Sequence, residues 1–164
     1  MQAFLRDVRL ALSCMTQGVL SIDGRGGYDP AGQPHTATLN RRASTRLDHA
    51  DSLALRTTIQ YSVVMGDADE PWLTQTAGYI YSFRDRDDAE FLAYHWHPQG
   101  GSRVTWPHLH LQSPSSSPVT GRTHLPTGVI HPEDIVRLAI EEFAVRPRRP
   151  DWDVVLRRFK QDRD

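Results

Sequence analysis

The sequence predicts an α+β fold: an antiparallel sheet of four or five strands with an N-terminal helix and two C-terminal helices covering one face. Three observations carry this reading. Apolar residues near the N-terminus recur at helical spacing, four consecutive segments between residues 53 and 112 alternate with a period of two, and helical spacing returns after Pro132. Strands that follow one another without intervening helices connect as an antiparallel meander.

In the first element, Phe4, Leu5, Val8, Ala11, Leu12 and Met15 share one side and Arg6, Asp7, Arg9 and Ser13 lie largely on the other, so residues 3 to 16 form an amphipathic helix. Cys14 packs there as a small apolar residue. Residues 21 to 52 are rich in turn formers, with Pro30 and Pro34 and few apolar side chains, and are expected to be a long polar loop or insertion within a single domain over residues 1 to 164. Their one basic cluster is Arg41, Arg42 and Arg46.

Residues 53 to 66, 72 to 83, 89 to 97 and 104 to 112 are the four strands, separated by DADEP, RDRDD and PQGG. Tyr79, Tyr81 and Phe83 have one parity and Ile80 the other, which leaves the core face of that strand open. Pro107 implies an edge position, a bulge, or a strand that begins only at His108. Pro132 at a first helical position, followed by Glu133 and Asp134 at the positive end of the dipole, opens a helix over 132 to 144. Asp151 caps a last helix over 151 to 160, with Trp152, Val155, Leu156 and Phe159 on one face.

Composition excludes several classes. The 19 Lys+Arg nearly balance the 20 Asp+Glu, so no whole-chain field attracts nucleic acid or anionic lipid. A single cysteine excludes an intrachain disulfide, a CxxC redox pair and a thiolate metal cage. No run approaches the roughly 20 apolar residues of a membrane span, and LALSCM is too short for a signal-peptide core, so the expected location is cytoplasmic. The excess of arginine in residues 145 to 164 supports no more than weak, salt-sensitive nucleic-acid binding; a protein partner is the stronger expectation, and oligomeric state is not read from the sequence.

Six of the eight histidines lie between His95 and His131. His95 and His97 are two apart on one strand and His108 and His110 two apart on the next, so each pair projects to one side and the four rings can line one face. Imidazoles in this pattern suit a divalent transition metal, zinc foremost, held by His95, His97, His108, His110 and His124. The same residues also suit metal-free acid–base catalysis on RNA or another phosphodiester, with Arg103 or Arg122 on the developing charge and Trp96 or Trp106 against an unpaired base. A third reading sets them in a buried hydrogen-bond network of a non-catalytic interaction domain. The sequence leaves open whether the protein is an enzyme.

Two resemblances bear on the choice. HLHLQ at 108–112 is similar to the HxHxQ strand of the histidine triad hydrolases and transferases, which implies a nucleophilic histidine at the position of His110. The chain departs from that family in placing its helices after the motif. The longer pattern of YHWHP, PHLHL, a Ser/Thr/Pro/Gly stretch ending in HLPTG, and PEDIVRLAIEEF resembles the small TumE-like toxin proteins of bacterial toxin-antitoxin pairs over about residues 89 to 143. That resemblance implies intracellular action and a dedicated antitoxin partner, with His95, His97, His108 and His110 on the histidine-bearing strands and Glu133 at the start of the following helix.

Overall fold

The computed structural model describes residues 2–23, 29, 32–66, 72–112 and 123–161. Among these residues three helices, α1 (Gln2–Ser13), α2 (Pro132–Glu141) and α3 (Trp152–Gln161), accompany eight strands: β1 (Leu20–Asp23), β2 (His35–Leu39), β3 (Thr45–Arg46), β4 (Ala54–Met65), β5 (Trp72–Arg84), β6 (Glu90–Trp96), β7 (His108–Leu111) and β8 (Leu125–Pro126). The strands make one open antiparallel sheet in the order β1-β2-β4-β5-β6-β7-β8, with β3 pairing β4 beyond the end of β2.

Eight strands replace the four or five expected from the sequence. Three of the additions fall in the segment read as a long loop. His35–Leu39 is β-branched at Thr36 and Thr38 and buries Ala37 and Leu39 completely, and it borders β4 through Ala37↔Ile59. Its flanking glycines and prolines dominate the composition, while the strand needs only two inward residues and a neighbour with free backbone groups. The last addition, β8, is two residues long and carries no periodic signal.

The ambiguous parity of β5 is resolved by what covers the sheet. Tyr79, Tyr81 and Phe83 are all buried on the helix-covered side with Leu55 and Ile59, while Ile80 faces the opposite side. Phe4 of α1 meets Tyr61 at 5.5 Å, Phe143 meets Phe83 edge-on at 4.9 Å, and the Tyr79 hydroxyl accepts the Ile130 N–H at 3.0 Å. The apolar stripe of α1 is buried as its spacing requires, with Leu5, Val8, Ala11 and Leu12 in the core; the helix ends at Ser13 short of the expected 16, and Cys14 and Met15 are enclosed in the turn that follows.

Helix α2 starts at Pro132, where the Asp134 carboxylate accepts the His131 N–H at 2.9 Å. It stops at Glu141 instead of continuing to 144, because Ala144 adopts φ 54 and turns the chain so that Phe143 reaches Phe83. Asp151 precedes α3, and its carboxylate holds the Arg149 guanidinium through two contacts of 2.9 Å. Among the described residues no helix is long and apolar enough to cross a membrane.

Candidate metal centre

The second face of the sheet, opposite the helices, carries the histidines. Alternation puts His95 and Ala93 of β6 on this face, and the β5 register brings Ile80 beside His95. On the other side, β7 pairs His108 directly with His95 and His110 with Ala93. Pairing of β8 through His108↔Pro126 and Leu109↔Leu125 carries the chain past β7, so His124, just before β8, arrives beside His110. A loop centred near Gly100 would have set His95 closer to Trp106. The observed register is later because residues 97 to 107 form a long connection of turn and bends and β7 begins only at His108, with the Pro107 carbonyl accepting the Thr127 N–H at 2.9 Å.

The five rings form a continuous cluster. His95 lies 4.7 Å from His110 and 5.7 Å from His108, His108 lies 4.9 Å from His110, and His124 lies 4.8 Å from His108 and 4.6 Å from His110. His97 contacts His95 at 5.4 Å from just beyond the end of β6. One nitrogen from each of His95, His108 and His110 falls within 4.8 Å of the others, so these three can hold a metal ion. Nitrogens around one zinc at its usual bond length sit roughly 3.3 Å apart, a convergence within reach of small ring rotations. His124 and His97 touch the cluster but stand outside that set of three.

Burial grades across the cluster. His108 is buried, His95, His97 and His110 are half-buried, and His124 is exposed, so the site has a closed floor and an open side. The His108 Nδ1 sits 2.8 Å from the Trp106 carbonyl oxygen, an acceptor only, so a neutral His108 carries its proton on Nδ1 and turns a bare Nε2 toward its neighbours. The His95 Nε2 is buried with no hydrogen-bond partner. An unsatisfied, enclosed imidazole nitrogen is costly to leave bare and well suited to a metal.

Protonation is suppressed by the same packing. Burial, then the neighbouring His110, His97, His108 and His124, depress the His95 pKa to about 4. His97 is lowered by burial and His110. His108 is lowered chiefly by burial, against the opposing pull of its bond to the Trp106 carbonyl. Among the described residues no carboxylate acts on any of the three. The acids of this face are engaged elsewhere: Asp88 binds Arg84 at 2.8 Å and Arg56 at 3.3 Å, and Glu90 accepts the Ser82 hydroxyl at 2.6 Å.

Other residues singled out from the sequence fall differently. Glu133 is buried on the helix side of the sheet, beside a cavity lined by Phe4, Asp7 and Phe159, away from the histidines. Trp96 packs on Tyr79 at 5.9 Å on the core face, whereas Trp106 is 47% exposed in the connection leading to His108. Arg103 is exposed in that same connection, and Arg122 lies outside the described residues. The Trp106 carbonyl that orients His108, and the fully buried Ala93 opposite His110, carried no signal in the sequence. The chain matches no protein-family model, no curated protein and no solved structure.

Proposed function

We propose that the histidine face is a zinc-type metal centre that activates water for cleavage of a phosphodiester, with single-stranded RNA as the substrate class. The observation that carries the reading is the set of three imidazoles, His95, His108 and His110, gathered with no carboxylate among the described residues. Neutral ligands leave a divalent ion its full charge, and a bound water at such a site ionises near neutral pH. The protein's part is to present three unprotonated rings, with burial holding His95 neutral and the Trp106 carbonyl setting the tautomer of His108. Exposed Trp106 offers a stacking surface beside the site, and Arg103 in the same connection offers a phosphate contact.

The toxin-like pattern around the two histidine pairs supports action in the cytoplasm under the control of a protein partner of the antitoxin kind. Elemental analysis of the purified chain tests the centre: about one zinc or similar ion per chain is expected, lost when His108 and His110 are both replaced by Ala. Cleavage of a single-stranded RNA should be lost with the metal and restored by adding it back. Cleavage that persists in excess chelator would instead assign the rings to metal-free acid–base work. Absence of both metal and cleavage, with only stability lost on replacement, would make them structural.

A further inference from the structure

A second site lies at the opposite edge of the sheet, unrelated to the histidines. A cavity of about 640 Å³ opens between the end of α1, the start of β1 and the segment before α3. Arg9, Arg148 and Arg149 line it, and no acidic residue does. Arg149 is neutralised by Asp151. Arg9 and Arg148 are exposed and, among the described residues, have no carboxylate partner. Other arginines, such as Arg56, Arg84, Arg137 and Arg157, are held by carboxylates.

Two backbone carbonyls beside the cavity are already engaged. The Leu12 carbonyl accepts the Met15 and Thr16 N–H groups, and the Cys14 carbonyl accepts the Arg148 N–H at 2.8 Å. That last bond ties the segment bearing Arg148 to the end of α1. Leu12, Leu20 and Val19 supply an apolar part of the remaining wall beside the polar Ser13, Thr16 and Gln17, and Val19 is 67% exposed. Two free guanidiniums beside an apolar wall match a ligand with an anionic end and a planar or apolar body, and the volume lies in the range of small-molecule sites.

We propose that this cavity binds a phosphate-bearing small molecule of nucleotide size, with its phosphates on Arg9 and Arg148 and its ring against Leu12, Val19 and Leu20. A free phosphate compound and a nucleotide share the anionic chemistry and differ in use of the apolar wall.

Calorimetric titration of the full chain with tripolyphosphate, ATP and adenosine separates them. Tripolyphosphate should bind with strong salt dependence, ATP should bind several-fold more tightly, and adenosine should give no measurable heat. Arg9→Ala and Arg148→Ala should each weaken ATP roughly tenfold, as loss of a charge-assisted contact does. Both side chains are exposed, and matching circular dichroism of the single variants shows that the fold is kept. The His108→Ala, His110→Ala double variant should bind ATP as the parent chain does, which excludes phosphate capture at the metal centre. Undiminished binding in both arginine variants, loss of binding in the histidine variant, or no binding of either phosphate probe overturns the proposal. Tighter binding of hexaglutamate than of tripolyphosphate also overturns it, by reassigning the arginines to an acidic protein segment.

Discussion

Replacing His95 by Gln in the metal-free protein should flatten the acid side of its stability profile. In the folded chain the His95 pKa is held at about 4, against an ordinary value of 6.5. Because the folded value is depressed, the unfolded chain binds more protons between these limits. Stability is therefore fully present above pH 6.5 and falls as the pH drops toward 4. Each pH unit of separation is worth about 1.4 kcal/mol, giving an upper limit of about 3 kcal/mol. His95 is only partly enclosed, so screening by solvent reduces the expected effect to about 1–2 kcal/mol. The assay is urea unfolding in chelator at pH 7 and pH 4.5, for the parent chain and the variant. Carboxylates titrate equally in both proteins and cancel in the comparison. The parent should lose about 1–2 kcal/mol more than His95→Gln over this interval; equal losses would show that packing among the rings does not hold His95 neutral. The same depression keeps the His95 nitrogen of the folded chain free for a metal down to about pH 4, since the ligand must be unprotonated to bind.

Tyr79→Phe removes the buried acceptor of the Ile130 N–H and should cost about 1–2 kcal/mol in urea unfolding, with no change in metal content. Phe83→Ala empties a fully buried site against Phe143 and should cost about 3–5 kcal/mol, read from the same midpoint shift. Gly78→Ala would set a Cβ 2.7 Å from the Trp96 carbonyl oxygen, so β6 must shift; lowered thermal stability together with weaker metal retention is the expected result. Trp106→Ala should keep the metal, because the His108 bond is to the backbone carbonyl, while weakening single-stranded RNA binding in a filter or anisotropy assay.

The portions of the structure legible in the sequence are those set by local geometry. Leu5, Val8, Leu12 and Met15 fall on one side of any helix, and Pro132 with two acids after it begins one almost regardless of context. Likewise, two histidines separated by one residue on an extended chain must share a face, so each of the two pairs was readable before any contact was known. The end of α2 was not readable, since nothing in Phe143 or Ala144 breaks a helix; packing of Phe143 on Phe83 does. The strands in residues 21 to 52 were hidden for a related reason. A four- or five-residue strand carries too few periodic positions to stand against its flanking turn formers, and its existence depends on free backbone groups of β4 that lie far away in sequence.

By itself the sequence determined the helical stripes, the long strands, and the pairing of histidines two by two on extended chain, because bond geometry and a repeat of two or 3.6 residues act over a few positions. Only the tertiary structure decided that His95 stands opposite His108, that His124 joins them from just before a strand of two residues, and that Glu133 is kept on the other side of the sheet. Register between strands is a property of hydrogen-bond ladders and connection length, summed over residues remote in sequence. The depressed pKa of His95 follows from it, since burial and four neighbouring rings act on that imidazole only once the ladder is closed.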